Sequence, residues 1–171
     1  MNYRPLLVAG TILISLLWGC SKQPAHNAWI SSDSIIIEPG VSVGPLHSGM
    51  TMKQMVAKLG EPDQKQDGIF VYKNLGFVVQ SDKGDIVHMV FCSGPGVGLS
   101  NYYTKPFTGH TKEGVGIGAS RAEVVQAYGN PTNTESYGSK SQGETIRYDS
   151  LGVIFSLRDD KVCAIIVSFK S

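Results

Sequence analysis

Residues 49–62, GMTMKQMVAKLGEP, and residues 118–131, GASRAEVVQAYGNP, are two versions of one pattern. Gly49 matches Gly118, Thr51 matches Ser120, Val56 matches Val125, Gly60 matches Gly129 and Pro62 matches Pro131, all at an offset of 69. Both stretches spell a short helix. Thr51 and Ser120 are N-cap residues, and Gln54 and Glu123 three positions on complete a capping box in each copy. Met52, Met55, Val56 and Leu59 follow i, i+3, i+4, i+7 spacing and make a single apolar face. The second copy keeps Val124, Val125 and Tyr128 on that face and places Arg121 at its edge. Gly60 and Gly129 stand where a left-handed residue ends a helix without a Cβ clash. Pro62 and Pro131 prevent continuation.

Three strands are expected after each helix. The first strands run near 69–72 and 145–148, ending in Tyr72 and Tyr148. Asn74-Leu75-Gly76 and Ser150-Leu151-Gly152 supply the turns. The second strands are about 77–80 and 153–157. The third, 86–92 and 162–169, are apolar on both faces, as in strands covered on both sides. From Tyr72 and Tyr148 onward the matches run at an offset of 76 and include Gly76 with Gly152, Ile86 with Val162, Met89 with Ile165 and Phe91 with Val167. The second copy therefore carries seven more residues between its Pro and its Tyr, in the polar stretch SYGSKSQGE, where insertions are cheap. The expected fold class is α+β: two tandem repeats, each a short helical element followed by a three-stranded antiparallel sheet.

Working outward, the chain divides into a signal at 1–19, a tether at 20–34, one unit at 35–92, a connector at 93–112 and a second unit at 113–171. Arg4 supplies a positive n-region, and Leu6 to Trp18 is an apolar stretch too short to span a bilayer comfortably. It closes on Leu16-Leu17-Trp18-Gly19-Cys20, which resembles the lipobox of bacterial lipoproteins. The resemblance implies cleavage before Cys20 and a thioether-linked diacylglycerol on its sulfur. Two or three acyl chains, of the palmitate kind, give firm anchoring. Ser21 follows, with no Asp there, so the resemblance points to the outer membrane, facing the periplasm. Residues 21–34, SKQPAHNAWISSDS, are small and polar and read as the tether. The connector, SGPGVGLSNYYTKPFTGHTK, is long for a structureless loop. Tyr102, Tyr103 and Phe107 within it have two readings: packing over an edge of the core, or contact with a partner.

The chain has 171 residues, 42% of them hydrophobic and 17% charged, enough for a real core. It holds 15 basic and 14 acidic residues, and removing residues 1–19 removes Arg4 alone, so the remainder is formally neutral. A strong nucleic-acid binder normally shows a basic excess, so nucleic acid is not an expected partner. No catalytic constellation stands out, and the chain is not read as an enzyme. GVGIGAS (114–120) offers glycines but follows Thr111-Lys112-Glu113, not the hydrophobic strand a dinucleotide loop needs. His26, His47, His88 and His110 lack metal spacing, so no metal or other cofactor is expected. Asp82, Asp85, Asp159 and Asp160 fall in hairpin turns, where Asp is favoured for backbone reasons. An oxidising compartment permits a Cys92–Cys163 disulfide; two free thiols are the other reading.

The pattern Gly-x-(Ser/Thr)-x-x-(Gln/Glu)-x-Val, then Gly-x-Pro, a Tyr and paired strands resembles the BamE/SmpA and β-lactamase-inhibitor-protein-like units. It is carried by GMTMKQMVAKLGEP with Tyr72 and by GASRAEVVQAYGNP with Tyr148. The resemblance implies a helix packed on an antiparallel sheet, and proteins that act by binding proteins, as envelope assembly accessories or as inhibitors. The expected function is a lipid-anchored envelope protein that serves as a protein-binding module. The alternatives are inhibition of a secreted hydrolase, or a small-ligand receptor or enzyme that uses the aromatic connector and the sheet face.

Overall fold

The computed structural model describes residues 32–82, 85–138 and 143–169. Cys20, His26, Trp29, the signal and most of the tether lie outside the described residues. The described chain starts with a single helical turn at Ser32–Ser34, and Ile35 is already buried.

The elements run in the order β1 (Ile36–Glu38), β2 (Ser42–Val43), β3 (Leu46–His47), α1 (Met52–Leu59), β4 (Gln64–Gln66), β5 (Ile69–Tyr72), β6 (Phe77–Ser81) and β7 (Val87–Ser93). After these come β8 (Gly98–Leu99), β9 (Tyr102–Tyr103), β10 (His110–Thr111), α2 (Arg121–Tyr128), β11 (Asn133–Tyr137), β12 (Gly143–Tyr148), β13 (Val153–Arg158) and β14 (Lys161–Ser168). One sheet has eight strands in the order β11-β12-β13-β14-β7-β6-β5-β4, and a second has four, β10-β1-β2-β3. Strands β8 and β9 form a separate hairpin.

This corrects the expected fold class. The described residues are mostly β, with 47% strand and 14% helix, and do not consist of two helix-plus-three-strand units with separate sheets. Two physical features account for the difference. First, a strand precedes the Tyr strand in each half: β4 and β11 are exposed at every position. An edge strand that buries no side chain shows no hydrophobic alternation, so QKQ and NTESY read as loop. Second, β7 and β14 pair with each other at the centre of the large sheet and so join the strands of both halves into one sheet, while the packing that makes them apolar on both faces comes from the layers above and below.

The pairing at that centre is nearly symmetric. Val87 and Val162 are equivalent: each donates its N–H, at 2.8 Å, to the residue two before the helix start, Met50 or Ala119. That sets the offset in the last strands at 75, one less than the sequence comparison suggests, because five residues lie between the paired Ser81 and Val87 and four between the paired Leu157 and Val162. Phe91 then corresponds to Ile166, and these two pair directly across the junction, flanked by Cys92 with Ile165 and Val90 with Val167. An approximate two-fold axis passes through the Phe91–Ile166 pair. The same shift makes His88 the counterpart of Cys163. Each is the extra residue of a bulge, opposite Gln80/Ser81 and Ser156/Leu157.

The helices form as the caps dictate. Thr51 Oγ1 accepts the Gln54 N–H at 3.2 Å while Gln54 Oε1 accepts the Thr51 N–H at 2.9 Å. Ser120 and Glu123 do the same at 3.2 and 2.7 Å. Gly60 and Gly129 close the helices with φ of 83° and 76°, but their ψ values of −177° and −160° lie outside the left-handed helical region. They occupy the positive-φ, extended region that is essentially reserved for glycine. Tyr72 and Tyr148 then tie sheet to helix, each donating its hydroxyl to the carbonyl of the closing glycine, at 3.0 and 2.9 Å.

Both helices and the four-stranded sheet cover one face of the large sheet. Across it run Tyr148, Val153, Val167, Val90, Val79 and Phe70, each paired with the next and all buried. Ile37, Val43, Leu46, Met55 and Val124 pack onto that face. Burying such side chains contributes roughly 1.5–3 kcal/mol each. The opposite face is covered beside its centre by the β8–β9 hairpin, whose Val97, Leu99 and Tyr102 lie on Val71, Val78, Phe91 and Ala164.

Candidate functional site

The connector aromatics separate. Phe107 is 1% exposed and belongs to the core, closing over the β5–β6 turn, where a Cβ built on Gly76 would fall 2.6 Å from its Cα. Tyr102 is half-buried on the far sheet face, its hydroxyl reaching Gln66 Oε1 at 3.4 Å. Tyr103 alone stands out, 60% exposed. The three therefore form no common contact surface.

The other sequence candidates do not converge either. Cys92 and Cys163 are free thiols. Cys92 is fully buried on the helix-covered face, and burial pushes its thiol far above the usual range. Cys163 is half-buried beside the Tyr137 hydroxyl, 3.8 Å from its sulfur. That hydroxyl donates to the Leu157 carbonyl at 2.9 Å, and its pKa is pushed up to about 12, first by burial and then by the thiol contact. His47, His88 and His110 are all exposed on different strands. Among the described residues no group of three or more His, Cys, Asp or Glu side chains is placed to hold a metal ion. Asp85, Asp159 and Asp160 take positive φ in their turns, and Asp82 Oδ1 accepts the Ile86 N–H at 3.0 Å.

A site that the sequence reading passed over lies where the start of the first repeat meets the second. It is an open cleft of about 390 Å³. Its first wall is the turn Glu38-Pro39-Gly40-Val41, closed by the Val41 N–H on the Glu38 carbonyl at 3.0 Å. Proline and glycine fill the central positions, and Gly40 has the positive φ, 66°, that a type II turn requires there. No side chain could replace it: a Cβ would stand 2.4 Å from the Leu151 carbonyl oxygen. The second wall is the β12–β13 turn with Ser150 and Leu151. Val41 and Leu151 are 51% and 38% exposed, two of the few large aliphatic side chains left in solvent among the described residues.

The floor is polar. Lys112 Nζ donates to Glu38 Oε1 at 2.8 Å, an exposed ion pair worth little to stability but sufficient to orient both side chains. The hydrogen bond to Glu38 raises the lysine's pKa further. Glu113 is the middle residue of a tight turn. Within that turn Thr111 donates its N–H to the Val115 carbonyl at 2.8 Å, and its buried hydroxyl accepts the Val115 N–H at 3.1 Å. Tyr128, the last residue of α2, donates its hydroxyl to Glu113 Oε2 at 2.6 Å. The half-buried tyrosine ring packs against the core, 5.5 Å from the rings of both Tyr148 and Phe155. Burial raises its pKa well above the usual value, and the Glu113 bond adds to this. A second recess of about 370 Å³ lies on the other side of Glu113, lined by Val115, Ala119, Glu123 and Ala127 among others. Glu113 is thus the ridge between two hollows.

One sequence signal could have exposed this site. Tyr128 stands at the position of Leu59, a core residue in the first copy, and a hydroxyl at a core position asks for a polar partner.

No family model matches the chain, and no curated protein does. Among solved structures, a DUF4309 family protein from Bacillus subtilis matches at 12% identity and a TM-score of 0.44, covering 70% of this chain and 78% of its own. An extracellular protein containing an SCP domain from Bacillus anthracis matches at 12% identity and 0.42, covering 72% of this chain and 44% of its own. A cysteine-rich secretory protein from Staphylococcus aureus matches at 17% identity and 0.44, covering 81% and 49%. The chain thus spans about half the length of the last two. Scores this low carry no argument about function. None of the three is a BamE/SmpA-like or β-lactamase-inhibitor-like protein, and the resemblance drawn from the helix motif is not upheld. That motif consists of helix caps, a closing glycine and a turn proline, which any capped helix entering a sheet can share.

Proposed function

We propose that the chain is a lipid-anchored protein of a bacterial envelope that works as a protein-binding module, and that the cleft around Glu113 is its contact site. The observation that carries this is the cleft itself. It pairs two solvent-exposed aliphatic side chains, Val41 and Leu151, with a carboxylate fixed by a tyrosine hydroxyl. Apolar anchors beside oriented polar groups are what protein contacts use. The cleft is open, and neither His88 nor His110 lines it. The envelope location rests on the sequence, on the apolar stretch that ends in Cys20. Inhibition of a secreted hydrolase had no ground beyond the resemblance that the structures do not uphold.

Two experiments test this reading. Crosslinking in intact envelopes followed by purification of the full chain should return the same protein partner repeatedly; repeated recovery of none would defeat the binding role. Replacing Cys20 by Ser should release the protein from membranes or stall its processing. A Cys20→Ser protein that is processed and still membrane-bound in high salt would defeat the anchor.

A further inference from the structure

We infer that the cleft takes an extended segment of a partner protein in which a basic side chain stands next to an aliphatic one. The inference deepens the protein-binding reading above and rests on it.

Three features define the occupant. The apolar one is the pair of exposed walls, Val41 from the turn after β1 and Leu151 from the turn before β13. They come from backbone turns that hydrogen bonds already hold, so docking an aliphatic side chain between them orders little. The charge on the lining is the second. Glu38 and Glu113 carry two negative charges and Lys112 one positive, and Lys112 is engaged by Glu38 at 2.8 Å. The lining therefore carries one net negative charge, and Lys112, hydrogen-bonded to Glu38, serves Glu113 only through space. Glu113 Oε2 accepts the Tyr128 hydroxyl, and a carboxylate offers about four acceptor sites, so capacity for an ammonium or guanidinium remains. Size is the third. At about 390 Å³ the cleft sits at the lower end of ligand pockets, room for one or two side chains and their backbone. The adjoining hollow beyond Glu113 lets the segment continue over the ridge.

The first half of the molecule supplies the control. The counterparts of Tyr128 and Glu113 there are Leu59, 5% exposed, and Gly44. The counterpart of Leu151 is Leu75, which packs against the core. The repeating unit can close this place with ordinary apolar packing, and in the second half it does not.

The test uses the full chain, isotope-labelled and held in detergent, titrated with three blocked peptides: Gly-Leu-Lys-Gly, Gly-Leu-Glu-Gly and Gly-Gly-Lys-Gly. The first should move the amide resonances of Val41, Glu113 and Leu151. The other two should bind roughly threefold to tenfold more weakly. Glu113→Gln should erase the preference for Lys over Glu and keep the preference for Leu over Gly. Leu151→Gln, a change at an exposed turn, should do the reverse. Shifts confined to other surfaces, or equal binding of the Lys and Glu peptides, would overturn the inference. If envelope crosslinking still returned a partner, the cleft assignment alone would fall; if it returned none, the protein-binding reading would fall with it.

Discussion

Helices α1 and α2 have the same length, the same capping box and the same closing glycine, and they do different work. Helix α1 buries Met52, Met55 and Leu59, whereas α2 buries only Val124. Where α1 ends in a buried leucine, α2 ends in a half-buried tyrosine whose ring packs against the core and whose hydroxyl reaches Glu113. The caps set where a helix starts and stops, and they are shared. The residues between the caps decide what the helix is for, and there the copies part. One half of the molecule puts its helix into the core; the other keeps part of it for the surface.

The difference is sharpest in core deletions. Met55→Ala, at a fully buried position, should cost about 2–5 kcal/mol. Val124→Ala removes less volume and should cost roughly 2 kcal/mol. Denaturant unfolding of both variants checks this. Equal losses, or the larger loss at Val124, would break the asymmetry between the helices.

The closing glycines should restore the symmetry. Gly60→Ala and Gly129→Ala each force a Cβ into an extended, positive-φ conformation, at a cost of about 1–3 kcal/mol. At Gly129 nothing lies within 4 Å of the added Cβ, so the whole effect there is backbone strain. Similar shifts in the unfolding midpoint are expected for the two variants. A neutral Gly129→Ala would mean that the helix end can readily take another conformation.

The smallest effect separates the caps by pH. Glu123 is held below its ordinary value near 4.5 by its hydrogen bonds to Ser120, first that of the backbone N–H and then that of the hydroxyl. A lowered carboxyl contributes stability that is complete above the ordinary value and is lost as pH falls through the lowered one. Gln54, its counterpart in α1, does not titrate. The difference in melting temperature between the native chain and Glu123→Gln should therefore shrink as pH is taken from neutral to about 3, while that for Gln54→Ala stays constant. Parallel pH dependence in the two would contradict the assignment.

The sequence made the helices, their caps, their ends and the Tyr–turn–Gly strands legible, because each has a local chemical signature. It hid β4 and β11, since edge strands exposed at every position carry no burial pattern. The fusion of β7 with β14 was hidden for another reason: apolar side chains on both faces say that the faces are covered, not which strand pairs along the edge. The one-residue shift in the last strands lay in a turn, where length is unconstrained by packing. The cleft was the least legible, because Glu38, Lys112, Glu113, Tyr128 and Leu151 come from four separate segments that only the tertiary fold brings together.

The claim that the cleft beside Leu151 is the contact site, and that the equivalent place beside Leu75 is closed, is tested by one paired measurement. A photo-crosslinking residue is placed at Leu151, and separately at its counterpart Leu75, in the full chain within native envelopes. The account predicts a covalent adduct with a partner protein from position 151 and none from position 75. Adducts of equal yield from both positions, or from position 75 alone, would contradict it.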